Sequence, residues 1–151
     1  MKNLILIAAA AALLAACQPK QPETVPATTP AAAAAKAPAA RKVCYELREG
    51  KSVARAELTF AGDTVTGPLE YLFAEKDQSR GHLEGFMHGD TLRANYRFSS
   101  EGRQTNMEVI FLVQGNLLIQ GHGPMGEYKG MIIYLFPDKV EFSTVFKAKT
   151  C

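Results

Sequence analysis

The chain has no tryptophan, only three cysteines and three histidines, and no hydrophobic run long enough to cross a bilayer as a helix. The longest uncharged apolar stretch, residues 4–16, falls short of the roughly 20 residues a spanning helix takes. Basic charge is not in excess either: from Arg41 onward 14 Lys and Arg meet 14 Asp and Glu, so the net +2 arises in the first 40 residues. A balanced segment without a basic run has no electrostatic footprint for nucleic acid, which is set aside as a partner. No Ser-His-Asp spacing, nucleophile elbow or phosphate loop is present, so the expectation is a protein that is not an enzyme and carries no cofactor. Glycine is missing from the first 40 residues, while all twelve lie beyond them. Residues 18–40 hold five of the eight prolines, nine alanines and only three charged side chains, a composition that has too little to bury for a core. Three parts result: a leader over 1–16, a spacer over 17–40 that is expected to be disordered, and one domain over 41–151.

At the start, Met1-Lys2-Asn3 gives a short positive head, and the apolar run from Leu4 ends in Leu14-Ala15-Ala16-Cys17. Head, run and cysteine together read as a signal peptide, and the last four residues resemble the lipobox of bacterial lipoproteins. The resemblance implies cleavage before Cys17, lipid on its sulfur and a further acyl chain, such as palmitate, on the new amino terminus. One acyl chain binds a membrane only marginally, and two or more make a stable anchor. In lipoproteins of two-membrane bacteria an Asp directly after the cysteine retains the protein in the inner membrane. Gln18 stands there, which implies the outer membrane, with the domain in the periplasm. The Pro/Ala/Thr spacer, fully extended at about 3.1 Å per residue, reaches roughly 70 Å.

The domain alternates with period two and shows almost no helical period. Leu92, Ala94, Tyr96 and Phe98 alternate with Thr91, Arg93, Asn95 and Arg97, and Ala54, Ala56, Leu58 and Phe60 with Arg55, Glu57 and Thr59. Such runs are strands with one buried face. Seven others follow over 43–47, 65–73, 81–87, 107–113, 117–121, 131–136 and 144–148. The fold class is all-β.

Three turns repeat weakly: "FAGDTV" (60–65), "MHGDTL" (87–92) and "VQGNLL" (113–118) set Gly-Asp or Gly-Asn between apolar residues. Gly beside Asp or Asn suits tight hairpins. With the other turns at 48–52, 74–80, 99–103 and "GPMGEYKG" (123–130), a reversal comes about every 12 residues, as an antiparallel up-and-down meander demands. Alternate turns share an end, so the loops around Gly50, Asp77, Glu101 and Tyr128 form a rim opposite the three tight turns, pointing away from the membrane. Closing the meander hides its edges, and Gly67 and Gly85 inside strand runs are expected to face each other across one bent hairpin. The domain resembles a small, about eight-stranded lipocalin-like β-barrel, without the family's Gly-x-Trp signature.

With Cys17 spent on lipid, Cys44 and Cys151 remain, and in an exported protein they are expected to form a disulfide joining first strand to last. Nine apolar runs conflict with that pairing, since an odd number of crossings separates the two cysteines. Either 117–121 is not a full crossing or 137–151 packs as a tail. His82, His88 and His122 match no zinc pattern, and no metal site is expected. Glu46, Glu70, Glu84 and Glu108 lie within strands, where carboxylates face water or pair with Arg.

Tyr45, Tyr71, Tyr96, Phe98 and Phe111 are candidate ligand-binding residues if the barrel holds a small apolar molecule, and core otherwise. Two functions stay open. One is a non-catalytic, membrane-anchored barrel binding a small apolar ligand. The other is an interaction or inhibitor module whose membrane-distal loops meet an envelope protein, peptidoglycan, a lysozyme or a protease.

Overall fold

A computed structural model describes residues 39–74 and 78–151. The leader 1–16, Cys17, the spacer up to residue 38 and Asp77 lie outside the described residues. Ten strands run in chain order: β1 Arg41–Glu49, β2 Ser52–Ala61, β3 Thr64–Leu72, β4 Ser79–His88, β5 Thr91–Ser100, β6 Arg103–Gln114, β7 Leu117–His122, β8 Met125–Tyr128, β9 Met131–Tyr134 and β10 Glu141–Lys149. Each of β1 to β6 pairs antiparallel with the next. Strand β10 pairs with β7 on one side and β1 on the other, so eight strands close into a barrel.

Period two sets what faces inward. Leu92, Ala94 and Tyr96 of β5 stand opposite Phe111, Val109 and Met107 of β6, and all but the methionine are buried. Ala54, Ala56 and Leu58 of β2, Val65 and Leu69 of β3, Leu83 of β4, Leu118 of β7 and Phe146 of β10 complete the core at 1% exposure or less. Burying such side chains stabilises by about 1.5–3 kcal/mol each.

The three repeated turns lie at one end, each with its glycine at positive φ: Gly62 at 61°, Gly89 at 61° and Gly115 at 57°. The polar residue after each glycine has a second job. The Asp63 carbonyl accepts from Met87 N–H, the Asp90 carbonyl from Val113 N–H, and the Asn116 carbonyl from Ala148 N–H, at 2.7–2.8 Å. Each turn is thereby bonded to a strand that ends beside it, which ties the repeat to the barrel's closure.

The conflict over nine runs resolves in neither of the two expected ways. Leu117–His122 is a full barrel strand and so is Glu141–Lys149. The surplus run, around Met131–Tyr134, is β9, which leaves the barrel and forms a hairpin with β8. Strand β7 pairs only with Phe111–Gln114 of β6. Beyond it come Gly123 and Pro124, and proline has no N–H to give a ladder. Strand β9 takes over there, parallel to β6 with Ile132 beside Met107. What reads as one turn, "GPMGEYKG", is thus half a hairpin. Tyr134 locks it down: its N–H donates to Glu108 at 3.0 Å and its hydroxyl to the Gly121 carbonyl at 2.7 Å. Glu108 also binds Arg93 and is buried, as is Ile110, although both point away from the barrel interior.

Gly67 and Gly85 do not face each other. In the β3–β4 ladder Gly67 stands opposite Leu83 and Gly85 opposite Val65. A methyl on Gly67 would strike the Glu57 carbonyl of β2, and one on Gly85 the Arg93 carbonyl of β5. Each glycine lets its strand approach a different neighbour.

The seam between β1 and β10 is short, with three facing pairs against nine between β1 and β2. Cys44 and Cys151 are bonded beside it, their Cα atoms 5.3 Å apart. On the outer face Glu46 accepts from Arg48 of its own strand, from Arg55 of β2 at 3.1 Å and from Lys149 of β10 at 3.2 Å. One carboxylate thus spans three strands.

Candidate functional site

The five candidate aromatics all come from inward positions of their strands. Four belong to one network. The Tyr71 ring lies 6.0 Å from Tyr96 and 6.4 Å from Phe146, Tyr96 stacks on Phe98 at 4.7 Å, and Phe111 meets Phe146 edge-on at 6.1 Å. Phe146, absent from the candidate set, is its hub on the β10 side. Alternation in "STVFKAK" points Phe146 inward, but only closure of the barrel brings it to Tyr71 and Phe111. Aromatic pairs in such tilted and stacked arrangements add about 0.5–1.5 kcal/mol beyond area burial.

The buried hydroxyls are mostly matched. Tyr71 donates to Gln120 at 2.8 Å, and Tyr96 to the Leu69 carbonyl at 2.9 Å, with Ser79 at 3.3 Å. Burial pushes the Tyr71 hydroxyl far above the ordinary tyrosine range, with the Tyr96 hydroxyl beside it adding to the effect. Burial likewise raises Tyr45 and Tyr96. These groups stay protonated at any physiological pH and offer no base. Tyr45 stands apart, its hydroxyl buried without a partner among the described residues.

The outer wall holds what the sequence reading missed. Along β6 and β7 both faces are apolar: Phe111 and Leu118 point in, while Leu112 pairs with Ile119, and Ile119 with Val145 of β10, in one row on the outside. All three of these outward side chains are partly exposed. Phe142, opposite Gly121, continues the row, and a side chain on Gly121 would crowd Phe142 and Val140. Beyond the hairpin Leu135 and Phe136 are each 53% exposed, and Phe142 is 36% exposed. The signal was in plain view in "EVIFLV", six residues without the polar alternation that a strand with one wet face requires. Tyr134 and the buried Glu108 have no sequence signature, because both depend on where the hairpin docks.

Among the described residues, His82 and His88 are exposed on β4, and the His122 ring lies 2.8 Å from the Thr144 hydroxyl. The chain matches no protein-family model, no curated protein and no solved structure.

Proposed function

We propose that the protein is a membrane-tethered, non-catalytic binding barrel of the bacterial envelope. Lipid on Cys17 holds it to the outer membrane, and the outer wall of β6, β7 and β10 is its docking face for a protein partner. The apolar row of Leu112, Ile119, Val145 and Phe142, continued by Leu135 and Phe136, carries the reading. Exposed apolar surface running across neighbouring strands is a mark of protein contact sites. The aromatic network inside supports it, because side chains that pack on one another serve as core.

A photo-crosslinking residue at Ile119 or Phe142, introduced in cells, tests the face. Discrete adducts at these positions and none at exposed Glu57 on the opposite wall are expected, and Ile119→Glu in the Phe142 probe protein abolishes them. Equal labelling at all three positions, or none at any, sinks the proposal.

One observation favours the second reading, a small and mostly apolar ligand within the barrel, provided that the ligand has a polar end: the Tyr45 hydroxyl is buried and lacks a partner among the described residues, and such a group calls for a bound water or a polar atom of a guest. Native mass spectrometry of protein purified from its own membrane decides this, through the presence or absence of a co-purified mass.

A further inference from the structure

A second place on the outer wall has the opposite character. Near the end that carries the longer connections, the β4–β5 ladder sets Arg80 opposite Ser99, His82 opposite Arg97, and Glu84 opposite Asn95. The strands close up there, since a side chain on Gly81 would run into the Arg97 carbonyl and Phe98. The outward side chains consequently flank a cleft of about 340 Å³.

Its wall is rich in donors. Arg97 uses its Nε on Asn106 at 3.2 Å, and Arg80 gives one Nη2 bond to Gln78 at 3.3 Å, with Glu70 at 3.8 Å. A guanidinium has five N–H groups, so both retain donors for a guest. Asn95 lines the cleft too, its Oδ1 buried and without a partner among the described residues. Opposed to these stands one carboxylate, Glu84, exposed and with no ion-pair partner among the described residues. Two planar cations and an imidazole favour an oxyanion. Glu84 disfavours a dianion and requires a hydroxyl beside the anionic group. The His82–Arg97 and Glu84–Asn95 rows lie two residues apart along the strands, about 7 Å, which a single substituted sugar ring spans.

We infer that this cleft binds an acidic sugar, its carboxylate held among Arg80, His82 and Arg97 while a neighbouring hydroxyl donates to Glu84. The site lies on a different wall from the apolar docking face and stands or falls independently of it.

The test is a titration of the ¹⁵N-labelled full-length chain with D-glucuronate, with D-glucose and inorganic phosphate in parallel. Glucuronate is expected to shift the Arg97 and Ser99 amides saturably and glucose to leave them in place. Arg97→Gln weakens glucuronate about tenfold, the loss of one charge-assisted bond. Glu84→Ala, at an exposed position that the fold tolerates, weakens glucuronate but strengthens phosphate. The inference is overturned if glucuronate shifts neither amide, if glucose matches it, or if Glu84→Ala strengthens glucuronate as it does phosphate, which would mean a bare cationic patch.

Discussion

Tyr71 and Gln120 meet inside the barrel from different walls, the tyrosine hydroxyl donating to the glutamine carbonyl at 2.8 Å across 49 positions of sequence. The bond joins β3 to β7, strands that are not neighbours in the sheet. It therefore ties the interior together where no backbone ladder does.

Tyr71→Phe leaves the Gln120 carbonyl without a donor and is expected to cost about 1–3 kcal/mol in urea unfolding. The double variant with Gln120→Leu costs less than the two single changes added together, because both polar ends then go at once. Strict additivity would show that the bond contributes nothing.

The disulfide closes a loop of 107 residues. On the chain-entropy argument such a closure is worth about 4.7 kcal/mol. Reduction, or Cys44→Ser with Cys151→Ser, is expected to lower the melting temperature markedly while far-UV circular dichroism at 20 °C keeps its β signature. An unchanged melting temperature would place the barrel's closure in its ladders and core alone.

Gly67 sits at φ 154° with the Glu57 carbonyl where a side chain would go. Gly67→Ala must push β2 and β3 apart and is expected to cost at least about 2 kcal/mol. Gly50→Ala, with open space around it, costs only the strain of a positive φ, about 1 kcal/mol. Chemical denaturation of the two variants side by side checks the ranking.

Glu46 has its pKa lowered from 4.5 to about 2, first by the hydrogen bond from Arg48, then by that from Arg55, with Lys149 adding to them. A depressed folded-state value means that this contribution is complete above pH 4.5 and drains away as pH falls towards 2. Thermal melts of the parent should therefore drop more steeply between pH 5 and pH 2 than those of Glu46→Gln. Parallel curves would show that the three-strand clamp carries no stability.

Cys17→Ser is expected to move the protein from the membrane fraction to the soluble fraction, with the barrel still folded. Membrane retention of that variant, followed by immunoblot of fractionated cells, would remove the lipid anchor from the account.

The barrel and its disulfide were legible because period two and glycine turns are local signals, and eight strands with both ends on one side leave few ways to close. The hairpin was not. Strand β8 is four residues long, Met125–Tyr128, and its flanking Gly and Pro read as a turn. The inward aromatics followed from alternation in "LRANYRF", whereas their meeting with Phe146 needed the seam. The cleft between Arg80, His82 and Arg97 needed the register fixed by Gly89, which sets residues on two strands face to face. The wall of Leu112 and Ile119 showed in "EVIFLV" as an unbroken apolar run, but which of its two faces the barrel leaves outside needed the closed sheet.

The bond between Cys44 and Cys151 also governs what happens under load. A pull arriving through the residues before Arg41 reaches β1 at the end where the disulfide lies, and it can strip only Arg41, Lys42 and Val43 from β2 before the covalent link takes the strain. From there the force divides between β1 and the end of β10 rather than unzipping one strand. The barrel is thus built to resist being peeled open from its leading end.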